Sequence, residues 1–296
     1  MIGFVVNPAA GRGRGVNLIK EVEAALRERN IGYIVKFSKY EGHAAELVKE
    51  LSYDGCENIV AVGGDGTVLE CAQGMYFLTD EQRENISLGI LACGSGNDFA
   101  RNLNLPKNMD DALEIIIGKN TMRCDMFECN GIPGLNIACM GIDSEIAYLA
   151  GRIKKIFGKF SYIAAVIKTI FTYKSIHAKI NMDGEIIEGD FTILAMCNGK
   201  YYGGGFMIAP MADITDDLIT FVYIDHLPWY KMLVLFPRVL SGGHVGLKEV
   251  HVKNCRRVEI EYNSGNVFNI DGNIVDVGHV LKFSVKHFAI NIIHNI

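Results

Sequence analysis

Apolar and amphipathic segments alternate over the first 120 residues. Four short apolar runs, each bounded by turn-forming residues, predict buried strands at 2–6, 33–37, 59–62 and 88–92. The segments between them carry apolar residues at helical spacing and predict helices at 16–29, 43–51 and 109–117. Strands that alternate with helices predict an α/β domain built on a doubly wound parallel sheet.

The pattern changes near residue 120. Beyond it, apolar strands predominate and are separated by the hairpin-turn pairs Asn130-Gly131, Asp183-Gly184 and Asp271-Gly272. This pattern predicts an antiparallel β-sandwich. One stretch, 147–174, instead has helical character.

The change of pattern predicts two domains within the 296 residues. We expect an α/β domain over 1–121 and a β-sandwich over 122–287, with the apolar tail 288–296 packing back on the first domain. No flexible linker separates the two domains, so the expected active site is the cleft between them.

Three of the predicted parallel strands run into glycine-rich segments. These segments are Asn7 to Gly15, Gly63-Gly64-Asp65-Gly66-Thr67, and Gly94-Ser95-Gly96-Asn97-Asp98. The carboxyl ends of parallel strands share one sheet edge, where open α/β sheets bind ligands. Glycines allow close approach to the backbone, and a helix N-terminus favours negative charge, so this edge suits phosphate groups.

The ordered set of motifs resembles the diacylglycerol kinase catalytic domain family, and within it the compact bacterial lipid kinases. The likeness extends through Gly203-Gly204-Gly205-Phe206, Ala209-Pro210 and Asp271-Gly272, and so covers essentially the whole chain. It implies an NAD kinase-like and diacylglycerol kinase-like α/β domain followed by a β-sandwich. It also implies an ATP- and Mg²⁺-dependent kinase that phosphorylates a lipid hydroxyl, on diacylglycerol or a related lipid, in phospholipid metabolism.

The resemblance, taken with the motifs, assigns a nucleotide-binding set. Its members are Asn7, Gly11, Arg12, Ser38, Gly63, Gly64, Asp65, Gly66, Thr67, Gly94, Ser95 and Asn97. Arg12 and Arg14 are expected to neutralise phosphate charge, and Thr67 to cap the helix that follows it. A carboxylate beside phosphates is repulsive unless it binds a metal ion or takes a proton, so Asp65 is assigned a catalytic role.

The family also carries a structural Mg²⁺ in its second domain, and the matching loop here is 212–218. The resemblance assigns the Asp216 side chain as ligand, with the carbonyls of Asp213 and Leu218 beside it. Few carboxylates with neutral oxygen ligands suit Mg²⁺. The family usually has Asp-Asp-Gly where this chain has Thr215-Asp216-Asp217, so an acidic turn without metal stays an alternative.

The final motif departs from the family. Asp-Gly-Glu or Asp-Gly-Asp is usual, with the last carboxylate proposed as general base, whereas this chain has Asp271-Gly272-Asn273. Either Asp65 or Asp271 supplies the base, or the enzyme is slow, or lipid kinase activity is lost. Two further functions therefore stay open: a kinase of a soluble substrate, as in NAD kinases, and a nucleotide-binding regulator with weakened catalysis.

Composition narrows the possible partners. The formal net charge of −5 argues against nucleic-acid binding, and no apolar run reaches the length of a membrane span. The start of the chain does not resemble a signal peptide, and the eight cysteines include no Cys-x-x-Cys pair, so we expect a cytoplasmic protein with reduced thiols. The oligomeric state is not fixed, and a homodimer stays open.

A lipid kinase must meet a membrane, and 147–174 is the candidate segment. Arg152, Lys154, Lys155 and Lys159 lie among apolar residues there, a pattern that suits peripheral binding to an anionic surface, at the inner face of the membrane. The alternative is a helix that covers one end of the sandwich with its lysines in water.

Overall fold

A computed structural model describes residues 1–157, 161–263, 267–276 and 278–295. The described residues form these strands: β1 (Ile2–Val6), β2 (Tyr33–Phe37), β3 (Asn58–Gly63), β4 (Ser87–Ala92), β5 (Thr121–Cys129), β6 (Ile132–Gly134), β7 (Ile137–Gly141), β8 (Ile176–Met182), β9 (Glu185–Cys197), β10 (Tyr201–Tyr202), β11 (Phe206–Met207), β12 (Ile219–Asp225), β13 (Val250–Cys255), β14 (Arg257–Tyr262), β15 (Phe268–Ile270), β16 (Asn273–Val275) and β17 (Val280–Ile293). The helices are α1 (Arg14–Glu28), α2 (His43–Tyr53), α3 (Asp65–Tyr76), α4 (Asp80–Asn85), α5 (Asp98–Asn102), α6 (Met109–Gly118), α7 (Ile142–Phe157), α8 (Ser161–Thr172) and α9 (Trp229–Val239), with a 3₁₀ turn at Ala10–Arg12.

The chain divides into two compact units. The first contains residues 1–126 together with 287–296, and the second contains 127–286. The division predicted from the sequence, 1–121, 122–287 and 288–296, stays a prediction.

The first unit is a parallel sheet with helices on both faces. Its strands lie in the order β2-β1-β3-β4, and Asn291 and Ile292 of β17 extend it by pairing in parallel with β4. Adjacent residues of β1 face opposite layers, as a strand requires: Gly3 lies against Leu51 of α2, whereas Phe4 shares a core with α1 and α6. The predicted doubly wound parallel sheet is confirmed.

The second unit is antiparallel. The long strand β9 pairs with β8 along its first half and with β7 and β12 along its second half. Alternate residues of β9 serve two cores: Leu194 and Met196 face the sandwich interior, whereas Ile193 and Ala195 face a layer that holds α7, α8 and α9. The predicted antiparallel sandwich is confirmed, with a helical layer added to it.

The three predicted hairpin turns are present. Asn130-Gly131, Asp183-Gly184 and Asp271-Gly272 join β5 to β6, β8 to β9 and β15 to β16, and all six residues have positive φ, as a type I′ turn needs. The eight cysteines are buried free thiols, in agreement with the sequence analysis. No helix of the described residues is long and apolar enough to span a bilayer.

Candidate active site

The glycine-rich segments meet at one edge of the parallel sheet in the first unit. Strands β1, β3 and β4 are parallel neighbours and end at Val6, Gly63 and Ala92, with Val6 opposite Val62 and Gly63 opposite Ala92. The chain passes from β1 outward to β2 and then returns to β3 on the other side of β1. The edge between β1 and β3 is therefore a topological switch point, the place where open α/β sheets bind ligands.

Close backbone contacts explain why this edge requires glycine. A Cβ atom on Gly94 would lie 2.5 Å from the Cα of Gly64, so the second and third glycine-rich segments touch backbone to backbone. Gly11 has φ +58°, and a Cβ there would collide with the carbonyl oxygen of Cys93. Side chains are thus excluded from the centre of the cluster, which leaves main-chain groups as its surface, as a phosphate cradle requires.

Asn7 and Thr67 join the first two segments across the switch point. The Asn7 amide nitrogen donates to Thr67 Oγ1 at 3.1 Å, and the Asn7 amide oxygen accepts from the Ala9 N–H at 3.0 Å. Thr67 is buried and packs over Gly63. The prediction that Thr67 caps the helix is wrong, because α3 begins two residues earlier at Asp65 and its N-cap is Gly64.

Asp65 is held by the backbone of the third segment. Its Oδ2 accepts the N–H of Asn97 at 2.7 Å, and its Oδ1 accepts those of Asp98 at 2.7 Å and Phe99 at 3.2 Å. The carboxylate therefore serves as the N-terminal cap of α5, whose own N-cap residue, Asn97, makes no side-chain cap. Asp65 lies half-buried in the first turn of α3. Its catalytic role stays a prediction.

The third segment is organised by side-chain contacts of its own. Asn97 has φ +54° and donates its amide to the Gly94 carbonyl at 3.2 Å. Asp98 is buried and pairs with Arg101 at 2.7 Å, while Ser95 is exposed at the tip of the segment. The segment thus has a defined shape in which the Ser95 hydroxyl reaches solvent.

The remaining predicted nucleotide residues lie around the same edge. Ser38 follows β2, and its N–H donates to the Val6 carbonyl at 2.9 Å. Arg12 is exposed in the 3₁₀ turn. Arg14 donates to the carbonyls of Gly11 at 3.1 Å and Gly94 at 3.4 Å, so it links the first and third segments.

Asp271, in the second unit, repeats the arrangement of Asp65. Its Oδ2 accepts the N–H of Leu135 at 2.6 Å, and its Oδ1 accepts those of Asn136 at 2.9 Å and Ile137 at 2.7 Å. Its own N–H donates to the Ile137 carbonyl at 2.9 Å. Asn273 lies two residues further on, exposed, as the first residue of β16. The structure therefore shows a turn anchored to the start of β7, and the catalytic assignments of both residues stay predictions.

The acidic loop of the second unit is internally bonded. Asp213 Oδ1 accepts from the Thr215 N–H and hydroxyl, and Asp216 Oδ1 accepts from the Leu218 N–H at 3.0 Å. Asp217 pairs with Arg256 at 2.6 Å. Asp216 is exposed, and a single carboxylate with neighbouring carbonyls is a donor set that Mg²⁺ accepts, so the loop fits the ion. No cluster of three or more acidic, histidine or cysteine side chains suited to a metal occurs in the described residues.

An apolar pocket lies within the second unit, between the sheet and its helical layer. Its walls come from β9, from the Tyr202–Phe206 region and from α7, α8 and α9; they include Ile170, Ile193, Phe206, Met232 and Leu235. Asp143 is the acidic residue of this wall. Sequence analysis missed both features, although Asp143 lies only two residues after the apolar strand β7.

The Asp143 carboxyl is held in apolar surroundings. Its Oδ1 accepts the Ser144 N–H at 2.8 Å, and the Cys139 thiol and the Tyr202 hydroxyl lie near the same carboxyl. Burial raises the pKa of this carboxyl. The pocket therefore has a mainly apolar wall that contains one buried acidic group.

The described residues of the basic segment include parts of two helices, α7 and α8. Arg152 is exposed and lies over the Tyr148 ring, 5.6 Å from its centroid. Lys159 and the side chains of Lys154 and Lys155 lie outside the described residues. Membrane contact through this segment stays a prediction.

Comparison with known proteins agrees with this architecture. Residues 1–129 match the model of the diacylglycerol kinase catalytic domain, and residues 136–293 match that of the YegS C-terminal NAD kinase beta sandwich-like domain. A diacylglycerol kinase of Mycobacterium tuberculosis is 30% identical over 272 residues, which cover 89% of this chain and 86% of that protein.

Two solved structures share the fold. A diacylglycerol kinase from Bacillus anthracis superposes with a TM-score of 0.73 at 20% identity, covering 99% of this chain and 96% of the other. An NAD kinase from Archaeoglobus fulgidus in complex with ATP gives 0.55 at 19% identity, covering 100% and 94%. The matches to both domain models, together with the M. tuberculosis relative, show that this chain belongs to the diacylglycerol kinase catalytic domain family, in the branch that carries the YegS C-terminal domain.

Proposed function

We propose that this member of a kinase family is an ATP-dependent lipid kinase, which transfers the γ-phosphoryl group to the hydroxyl of diacylglycerol or a related lipid. The observation that carries the proposal is the meeting of three glycine-rich segments at the switch point of the parallel sheet. Asn7 and Thr67 join the first segment to the second, and Asp65 joins the second to the third. Phosphoryl transfer depends mainly on positioning and charge neutralisation, and this edge offers both.

Several groups at this edge would bind ATP together, each in a different way. The backbone at Gly63, Gly64 and Gly94 would face the phosphates, with the N-terminus of α3 adding positive potential. Arg12 and Arg14 supply cations, and Asp65 holds residues 97–99 in place through its three accepted hydrogen bonds. Bound Mg²⁺ would neutralise phosphate charge; in the second unit, Asp216 with the Asp213 and Leu218 carbonyls would hold the structural ion.

The apolar pocket supports a lipid as the acceptor. Acyl chains bind through burial of apolar surface, and the wall from α8 and α9 provides that surface. The accessible volume of the pocket is about 30 Å³, so α8 or α9 would have to move outward to admit a chain. Asp143 is the acidic group in this wall and would hydrogen-bond a hydroxyl or ester of the bound lipid. The mainly apolar wall of this pocket does not complement the charges of a soluble dinucleotide acceptor.

A transfer assay tests the proposal. Purified protein would be incubated with γ-labelled ATP and Mg²⁺, with either a lipid extract in mixed micelles or a pool of soluble metabolites that includes NAD. The Asp65→Ala variant is the inactive reference, and Asp111→Asn, on the surface of α6, is the matched control. We expect label in the lipid phase with the parent and the control.

Two other outcomes of this assay would support the alternative functions. Label on NAD or another soluble compound would indicate a soluble-substrate kinase. ATP binding without transfer to any acceptor would indicate a nucleotide-binding regulator.

A further inference from the structure

Helices α8 and α9 expose a cluster of large apolar side chains on the second unit. The cluster, called here the α8–α9 face, contains Ile167, Phe171, Trp229, Tyr230, Leu233 and Val234, each between 46% and 60% exposed. The rings of Phe171 and Trp229 lie 5.2 Å apart between centroids, so the two helices form one continuous surface. Contiguous exposed apolar surface of this kind marks an interaction site.

Helix α9 is apolar on both of its sides. Trp229, Tyr230, Leu233 and Val234 follow one another at helical spacing on the exposed side. Met232, Leu235 and Val239 lie on the opposite side and line the apolar pocket. The same short helix therefore separates the pocket from the exposed face, whose apolar side chains are interspersed with the exposed Lys231 and Arg238.

The charge of these helices is opposite in sign to that of the whole chain. The chain carries a formal net charge of −5, yet α8 and α9 contain no aspartate or glutamate. Lys168, Lys174 and Arg238 lie exposed on or beside these helices and form no ion pair with the described residues, whereas Lys231 pairs with Glu249. Unpaired cations beside apolar and aromatic side chains complement an anionic bilayer surface.

We propose that the α8–α9 face binds the surface of an anionic lipid bilayer, with Trp229 and Tyr230 at the level of the headgroups. The proposal rests on the proposed lipid kinase function, because it brings the wall of the acyl-binding pocket to the membrane that holds the acceptor. Tryptophan and tyrosine favour the boundary between hydrocarbon and headgroups. In a dimer formed through this face, Lys168 and Arg238 of one copy would lie near the same positive charges of the other copy. The charge pattern therefore favours an anionic bilayer over a second copy of the chain.

The only tryptophan of the chain is a native probe of this contact. Trp229 fluorescence would be titrated with vesicles of phosphatidylcholine containing phosphatidylglycerol, and with vesicles of phosphatidylcholine alone, without ATP or acceptor. We expect a blue shift with the anionic vesicles and quenching by lipids brominated on the acyl chain. Because neither readout uses catalysis, failure of this binding is distinguishable from failure of the kinase proposal.

Single substitutions test the face directly. Leu233→Glu and Val234→Glu are each expected to weaken partitioning into anionic vesicles about tenfold or more. Ile186→Glu is the matched control, because Ile186 is an equally exposed apolar residue of the same unit on β9, outside the face. The control is expected to bind like the parent, and thermal unfolding would check that the variants remain folded.

Three results would overturn the proposal. One is vesicle binding by Leu233→Glu and Val234→Glu equal to that of the parent. Another is binding of the parent without quenching of Trp229, which would place the contact elsewhere and needs no variant. The third is a parent dimer that Leu233→Glu dissociates while vesicle binding is unchanged, which would make the face an interface between copies.

Discussion

The Asp65 carboxylate and the Asp98 backbone N–H are joined by a hydrogen bond of 2.7 Å. This contact ties the first turn of α3 to the start of α5 across 33 residues of chain. Asn97 and Phe99 donate to the same carboxylate, so the charged group expected to act on phosphates also fixes the segment that would bind them. Charge-assisted bonds of this kind are about twice as strong as neutral ones.

The first prediction concerns this contact. In Asp65→Asn, the new NH₂ group must replace one acceptor oxygen and would face a backbone donor. We expect a loss of turnover greater than about tenfold, and a free energy of unfolding lower by roughly 1–3 kcal/mol, the usual cost of an unsatisfied buried donor. Kinase assays and urea unfolding measure the two effects, with Asp111→Asn as control. Retention of more than about a tenth of the parent rate would refute the role of Asp65.

The second prediction concerns the contact between glycine-rich segments. Gly94→Ala would place a methyl group 2.5 Å from the Gly64 Cα, so one segment must move. We expect ATP affinity to fall more than about tenfold, because the backbone groups of both segments form the proposed cradle. Gly118→Ala is the control, because a Cβ there meets no atom within 4 Å. Isothermal titration with a non-hydrolysable ATP analogue checks this, and equal affinities would refute the cradle.

How far the sequence predicts this structure depends on whether the signal is local. The strand that ends in Gly63 and the three Asx-Gly turns are specified by residues within a few positions of one another, and all are present. The partners of Asp65 and Asp271 lie 32 and 134 or more residues away in the chain, so no local pattern reveals them. The sequence indicates the turn at Asp271-Gly272, but it does not reveal the backbone N–H groups that either carboxylate accepts.

Sequence analysis did not identify helix α9, although the segment Trp229–Val239 carries buried apolar residues at helical spacing. It missed the pocket because generic apolar residues from distant elements form its wall. A site whose residues come from several separate elements leaves no local motif in the sequence.

The third prediction concerns pH and Asp143. Burial raises the pKa of its carboxyl, so the folded state keeps the proton over a pH range in which the unfolded chain has released it. The stability contributed by this group is therefore present at low pH and lost as the pH rises from the ordinary aspartate pKa to the raised one. Asp143→Asn removes this dependence. Urea unfolding at pH 4 and pH 7 should show the variant gaining stability relative to the parent at the higher pH. A stability difference between variant and parent that is the same at both pH values would contradict the assignment.

The last prediction concerns Asn273, which the family resemblance assigns to the position of a proposed general base. Asn273→Glu is expected to raise the rate of phosphoryl transfer to a lipid hydroxyl and to change its pH dependence, since general-base help is typically worth about 10²–10⁴ in rate. The gain should be kinetic, with ATP affinity nearly unchanged, because a base acts in the transition state and not in nucleotide binding. Ile274→Glu is a matched control, because the next residue of β16 is also exposed but points to the other face of the strand. Initial rates over a pH series, with ATP binding measured separately, check both parts. A parent with an ordinary kinase rate that Asn273→Glu slows would show that no base is missing at this position, and Asp65 or Asp271 would then be the groups to substitute next.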